Sequence, residues 1–336
     1  MLEALSHPGA VACAMPEFVS PMLATTAKDV PEGPEWQYEV KWDGVRVIAW
    51  LRHQHVELRS RRGSTLTEKF PECSELAQCT PATEAIFDGE IVALDNQGRP
   101  DFALLQRRLV TVAPARLRQL TRAFPVRYYL FDLLYLDGYD LRRVPLDVRQ
   151  KTLARLLRCG TFVRLSEPLA GSAAQVTEVA RKLGLEGIVA KRRDSAYESG
   201  RSHAWLKVKL VRRQDVVICG YTLGKRASFA SLVVAVRQGE GLRYAGCVGT
   251  GFDTQTATQL REQLDKLRLW QPPIALPADF RRRAVWVRPL LVCSVKFQDW
   301  TPQGRLRSPV FLGLRADVDP DECVPEAFEE PEQGPS

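Results

Sequence analysis

The stretch Glu39-Val40-Lys41-Trp42-Asp43-Gly44-Val45-Arg46 decides how this chain reads. On either side of it, Trp36 to Trp42 and Val45 to Leu51 alternate with the period of a half-buried β-strand. The pattern predicts a hairpin turned by Asp43-Gly44, with Lys41 at the end of its first strand. A lysine on a rigid strand end can be held against an electrophile. Nearby positive charge or a metal can lower its pKa and make it a nucleophile. Taken alone, Lys-x-Asp-Gly reads more readily as a hairpin lysine reaching solvent, and the rest of the chain reverses that.

The 336 residues are enough for two domains, each with its own core. A hydrophobic fraction of 45% and a charged fraction of 26% describe an ordinary globular chain. No apolar run approaches the ~20 residues of a membrane helix. Ala12-Cys13-Ala14 resembles a signal-peptidase site, but Glu3, His7 and Pro8 break the basic and apolar regions such a peptide needs. The expectation is a cytoplasmic monomer. The 8 cysteines are scattered with no Cys-x-x-Cys pair, against zinc and against a disulfide framework. Net charge is +7, unevenly spread: eight acids and no base lie between Asp317 and Ser336, leaving 47 bases against 32 acids elsewhere. So basic a body suits a polyanionic partner, most simply nucleic acid. Residues 319–336 read as an acidic disordered tail.

Along the chain, residues 1–15 read as an N-terminal arm and 16–35 as an irregular, Pro- and Ala-containing wrap. Val56 to Ser60 is a strand ending in Ser60-Arg61-Arg62-Gly63, where arginines before a turn can meet a phosphate or carboxylate, though a solvated turn is commoner. Ala85 to Leu94 is a strand carrying Asp88-Gly89-Glu90, whose acids suit a ribose hydroxyl or Mg²⁺, or simply a strand-end turn. Phe102 to Leu120 has helical period with an outer basic face. Val126 to Leu136 is a strand whose alternation puts Tyr129, Phe131 and Leu133 on one face; Phe131 could stack on a base or serve the core. Helices are expected at Val148 to Leu157 and Ala173 to Leu183. Glu186 to Lys191 is a short buried strand, and a polar loop follows from Arg192 to His203. Period two then aligns Trp205, Lys207 and Lys209, a phosphate clamp or a solvated face.

Arg212 to Asp215 reads as a hinge. The texture then becomes all-β: Val216 to Tyr221, Ser231 to Arg237, Leu242 to Val248 and a strand pair in Val285 to Phe297, with one helix from Gln255 to Leu267. This suits a small OB-type barrel. The last ordered segment expected is Gly304 to Arg315, bringing Arg305, Arg307 and Arg315 together.

In this order the motifs resemble those of the covalent nucleotidyltransferase superfamily. Within it they are similar to ATP-dependent DNA ligases, above all the ligase domain of bacterial ligase D and its stand-alone relatives. The resemblance runs from Pro16 to Asp317, through Lys41-Trp-Asp-Gly-Val-Arg46, Ser60-Arg61-Arg62-Gly63, Asp88-Gly-Glu90, Phe131-Asp132, Glu186-Gly-Ile-Val, Trp205-Leu-Lys207-Val-Lys209 and Leu306 to Arg315. It implies an α+β fold: a nucleotidyltransferase (adenylation) domain of antiparallel sheets and helices at 16–211, then an all-β OB-fold domain at 212–318. It implies ATP, with AMP carried covalently on Lys41, and Mg²⁺ or Mn²⁺ at Glu90 and Glu186. Glu39 and Val40 would meet the adenine, Phe131 would stack on it, Arg46 and Arg61 would contact phosphate or ribose, and Glu90 would hold ribose or the metal. Lys207 and Lys209 would neutralise the α-phosphate, and Arg307 and Arg315 would act during self-adenylylation. The partners implied are double-stranded DNA with nicks or ends and a Ku-like end-binding protein, in repair by end joining. Nothing resembles an added DNA-binding, polymerase or phosphoesterase module, so the core is expected to stand alone.

One departure stands out. The last motif of the family often ends Arg-x-Asp-Lys, but Arg315-Ala316-Asp317 is followed by Val318. The lysine that orients the leaving pyrophosphate is missing, so either a slow first step or the use of another base is expected. RNA ligases and capping guanylyltransferases share Lys-x-Asp-Gly, and a non-catalytic nucleic-acid-binding protein is a reading of another class.

Overall fold

The chain divides into two units, Met1–Leu210 and Val211–Ser336. The computed structural model describes residues 3–325 apart from 96–97, 99, 112, 159, 211–212, 225–228, 279 and 281–282. Among the described residues, no helix is long and apolar enough to cross a membrane.

The first unit begins with α1 (Glu3–Ser6), β1 (Val11–Ala12), β2 (Met22–Thr26), β3 (Trp36–Lys41), β4 (Val45–Arg52), β5 (His55–Ser60) and β6 (Glu84–Ala93). Helices α2 (Phe102–Val110) and α3 (Pro114–Ala123) lead to β7 (Val126–Leu136) and β8 (Tyr139–Asp140). Then come α4 (Leu146–Leu156), β9 (Val163–Leu165), α5 (Ala173–Lys182), β10 (Gly187–Arg192) and β11 (Gly200–Lys209). The helical period from Phe102 therefore resolves into two helices. Pro114 stands in the first turn of α3, where its missing N–H does no harm. Arg108 is not on an outer basic face but fully buried, with Nη1 and Nη2 donating to Glu72 at 2.5 and 2.7 Å.

These strands make two sheets. Seven strands run β1-β8-β7-β6-β4-β5 with β9 beside β7, and four run β2-β11-β10-β3. The expected hairpin is not formed, because β3 and β4 lie in different sheets. Both edges of β4 are taken by β5 and β6, so β3 pairs with β10 instead. Asp43-Gly44 is the crossing between sheets. Gly44 is needed there: a Cβ would lie 2.2 Å from the carbonyl oxygen of Ile91 on β6. The N-terminal arm also belongs to the fold, since β1 pairs with β8 and Ala4 is buried in the core. The supposed irregular wrap contains β2, which runs parallel to β11. The polar loop after Arg192 is shorter than expected, because β11 begins at Gly200.

One face of the seven-stranded sheet packs Leu51, Phe87 and Leu133 against the helices; the other presents Trp50, Ile86 and Phe131 to Trp205 of β11. Leu133 therefore does not share the face of Phe131. The pairing of β6 with β7 jumps from Asp88↔Asp132 to Gly89↔Leu130, so Phe131 is an inserted bulge residue, and a second jump skips Leu134. The far face of the four-stranded sheet is covered by α5, through Val176 and Ala180 against Tyr38, Ile188 and Ala190.

The second unit holds β12 (Arg213–Thr222), β13 (Ser231–Gln238), β14 (Gly241–Val248), α6 (Thr254–Asp265), β15 (Arg268–Leu269), β16 (Ala284–Lys296) and β17 (Val310–Leu314). Its sheet runs β14-β13-β12-β16-β15 with β17 beside β16. Arg213 to Asp215 are paired strand, not hinge, and Arg212 lies outside the described residues. Val285 to Phe297 is one long strand, not a pair. It pairs with β12 over 284–286 and 291–296, with a register jump that passes over 287–290, including Pro289, which has no N–H to pair. Order also extends past Arg315. Cys323 is 1% exposed among Val217, Val292 and Val318, its carbonyl accepts from Arg237 N–H at 2.7 Å, and Gln214 donates to the Val324 carbonyl at 2.9 Å. Apolar burial thus anchors residues 319–325 of the expected disordered tail, and 326–336 lie outside the described residues.

Candidate active site

Strand register sets nine residues into a grid on one face of the four-stranded sheet. Lys41, Gly187 and Lys209 lie side by side, then Glu39, Val189 and Lys207, then Gln37, Lys191 and Trp205. Neighbouring strands are ~4.8 Å apart, so Lys41 and Lys209 stand ~10 Å apart at their Cα atoms, with no side chain between them. Gly187 leaves that space, and a Cβ there would meet the carbonyl oxygen of Val208 at 2.1 Å. The grid is driest at Gln37, Lys191 and Trp205 and half-buried at Lys41, Lys207 and Lys209. The amine of Lys41 lies 2.6 Å from Glu186 Oε1. Burial disfavours its charge, but Glu186, with Asp43 and Glu90, outweighs that and raises its pKa above the ordinary lysine value. The sequence suggested a lowered pKa from positive neighbours; the acids around Lys41 do the opposite.

Behind this row the charges are dry. Glu39 is 2% exposed and takes three donors: Gln37 and Gln150 at 3.0 and 2.7 Å on Oε1, and Lys191 at 2.7 Å on Oε2. Lys191 Nζ also lies 4.2 Å from the ring centres of both Phe131 and Trp205. Burial pushes Lys191 below the usual lysine range, with Glu39 opposing. Arg46 grips Asp88 with two bonds of 2.6 and 2.7 Å and lies over Phe131 at 4.5 Å. Tyr197 donates to the second oxygen of Asp88 at 2.5 Å.

A strand-end lysine beside a carboxylate, backed by two further lysines on the same face, is the arrangement a nucleotidyl-transfer site needs. Two family models match the chain: the ATP dependent DNA ligase domain over residues 21–209 and the ATP dependent DNA ligase C terminal region over residues 225–318. The chain belongs to the ATP-dependent DNA ligase family.

Among ligase relatives, the chain is 38% identical to the multifunctional non-homologous end joining protein LigD of Pseudomonas aeruginosa, covering 90% of this chain and 36% of that protein. It is 37% identical to LigD of Mycolicibacterium smegmatis, over 93% of this chain and 40% of that one. It thus spans about two-fifths of these relatives' length. A solved mycobacterial DNA ligase D complexed with ATP and MES superposes with a TM-score of 0.66 at 36% identity, covering 91% of this chain and 98% of that chain. The fold is α+β, a ligase nucleotidyltransferase domain followed by an OB-fold domain.

Within this ligase fold, the sequence-chosen residues fall into three groups. Lys41, Lys207 and Lys209 share the grid, with Glu186 against Lys41. Glu90 faces Arg46 across the β4–β6 pairing, with its Cγ beside Gly44. Glu39 and Phe131 lie in the dry layer behind, with the half-buried Arg46 against it. Arg46 spends its fork on Asp88, and the ring of Phe131 is 6% exposed under two cations. Val40 pairs with Ile188 on the opposite face, so only its backbone is turned to the open edge of β3. Arg61 stands on the turn after β5, next to Ser60, which pairs with Val47 of β4. In the second unit, Arg315 pairs with Asp317 at 2.7 Å, Arg307 is exposed, and Arg305 lies over Tyr244 at 5.7 Å. Val318 is 7% exposed in an apolar cluster, so its side chain is turned away from solvent.

Sequence reading passed over Lys191, Gln150, Asp88 as an internal anchor, and Trp42. The Trp42 ring stacks on Tyr129 at 3.8 Å and its Nε1 donates to Ser166 at 2.9 Å, bracing the crossing beside Lys41. Lys191 had a signal: it shares the parity of Gly187 and Val189 and closes the same short strand with an opposite charge.

Proposed function

We propose that this chain seals strand breaks in duplex DNA through a lysyl-AMP intermediate on Lys41, at the expense of ATP. One observation carries the reading: Lys41 shares a sheet face with Lys207 and Lys209 and has Glu186 at 2.6 Å. The amine first gives up a proton, for which Glu186 Oε1 is within reach. Its lone pair then attacks the α-phosphorus of ATP in line with the leaving group. The N–P bond forms, the P–O bond breaks, and pyrophosphate leaves with the electron pair. Lys207 and Lys209 neutralise charge building on the phosphate oxygens. AMP next passes to the 5′-phosphate of the DNA as the N–P bond breaks. The 3′-hydroxyl attacks that phosphate, closes the phosphodiester and releases AMP.

A divalent cation fits the donors present. Mg²⁺ or Mn²⁺ takes oxygen ligands and is commonly held by one or two carboxylates plus phosphate, and Glu90 and Glu186 both act on Lys41. Among the described residues no group of three or more such ligands gathers, so substrate and water would complete the sphere. When bound, the cation would offset phosphate charge. Arg307 and Arg315 are assigned to the first step, and the chain to end joining with a Ku-like partner.

The test is incubation with α-labelled ATP and Mg²⁺, beside Lys41→Ala, followed by a denaturing gel and a nicked-duplex sealing assay. Label retained by the wild type, lost in the variant and followed by sealing supports the reading. A folded, AMP-free protein that takes no label would overturn it.

A further inference from the structure

The second unit has a hollow that the ligase reading leaves unused. It holds about 480 Å³, within the range of small-ligand sites. Its walls include Leu242, Arg243 and Tyr244 on β14, Pro277, and Gln303 and Arg305 on the turn before β17, with no acid lining it among the described residues. The turn is rigid: Thr301 N–H donates to the Arg305 carbonyl at 2.7 Å and Gly304 N–H to the Thr301 carbonyl at 2.8 Å. Arg243 is tied to it by Nη1 donating to the Gly304 carbonyl at 2.6 Å, while its buried Nε meets no acceptor. The Tyr244 ring meets Phe280 edge to face at 5.9 Å and has the Arg305 guanidinium 5.7 Å away.

We propose that this hollow takes one unpaired nucleotide of a single-stranded extension. The shape and chemistry agree on that ligand. Two guanidiniums suit a phosphodiester, and a tyrosine between apolar walls suits the face of a base. The carboxamide of Gln303 adds a donor and an acceptor for a base edge. A base inside a duplex cannot enter a concave site, because its edge and both faces are already engaged. The hollow therefore separates an overhang, gap or flap from a blunt end, which backbone contacts alone do not. The proposal rests on the reading that this chain acts on nucleic acid.

The test measures binding of the full chain to two fluorescent hairpin duplexes by anisotropy: one blunt, one with a four-nucleotide single-stranded extension. Stacking one base predicts about fivefold or greater preference for the extended probe. Arg305→Glu and Gln303→Glu should bring the ratio to near one, with Gln303→Glu the safeguard should the arginine variant fail to fold. Equal binding of both probes by the wild type overturns the proposal, as does a preference that survives both substitutions. Lysyl-AMP labelling of the same samples reports on the enzyme reading separately. Label present without the preference sinks the hollow alone.

Discussion

The amine of Lys41 and the carboxylate of Glu186 meet at 2.6 Å, across the junction where β3 and β10 pair. Burial disfavours the charge on Lys41 and the acids restore it, so Glu186 controls how much neutral amine exists. In Glu186→Gln the pKa of Lys41 should fall, because burial remains and its main opponent is gone. The pH profile of Lys41 acylation by an amine reagent, read by peptide mass spectrometry, should move to lower pH. An unmoved profile would remove Glu186 from that role. The stability consequence follows in sign. A raised folded pKa stabilises the fold below the ordinary lysine value and ceases to do so as pH rises through the folded pKa. Glu186→Gln should therefore cost stability at neutral pH and little in strong alkali.

Lys191 behaves oppositely. Its folded pKa is depressed by burial, so stability should rise with pH in the window between that depressed value and the ordinary lysine value. Lys191→Met should abolish this rise. It should also cost ~3–5 kcal/mol at neutral pH by stranding buried Glu39. Adding Glu39→Gln should recover much of the loss, as urea denaturation of the single and double variants will show. Additive losses would mean that the two residues are not coupled.

Tyr197 supplies one of three bonds to the fully buried Asp88. Tyr197→Phe keeps the ring and removes that donor, which should cost ~1–3 kcal/mol. Thermal and urea unfolding should register it while lysyl-AMP formation survives at a temperature where the variant is folded.

Position 318 offers a test of the missing motif lysine. Val318 sits among Val217, Cys219 and Cys323 rather than at the surface. Val318→Lys should lower the melting temperature, because an ammonium there is buried without a partner. It should not accelerate the first step. A faster burst of lysyl-AMP would show that the side chain can reach pyrophosphate after all.

The chemistry was legible in the chain because reactive residues keep strand parity. Period two aligned Lys207 and Lys209, the motif resemblance set Lys41 beside them, and the structure puts all three on one face. Partnership was not legible. Period two names a face but not the strand across it, so an Asp-Gly turn read as a hairpin became a crossing between sheets. The bulge at Phe131 depends on how β6 registers against β7, about forty residues away in the chain. Arg108 looked like a solvent-facing cation because its acid, Glu72, lies thirty-six residues earlier. Local patterns carry side-chain direction; pairing, bulges and buried ion pairs are long-range outcomes.

The gap at Gly187 has a consequence for anyone mapping this enzyme by saturation mutagenesis. No functional group resides there, yet every substitution drives a side chain into the Val208 carbonyl, 2.1 Å from the first added atom. Its tolerance profile should be as narrow as that of Lys41, for a reason unrelated to reactivity. A heat map would colour the two positions alike, and only a fold-sensitive readout such as protease resistance would tell Lys41 from the empty space beside it.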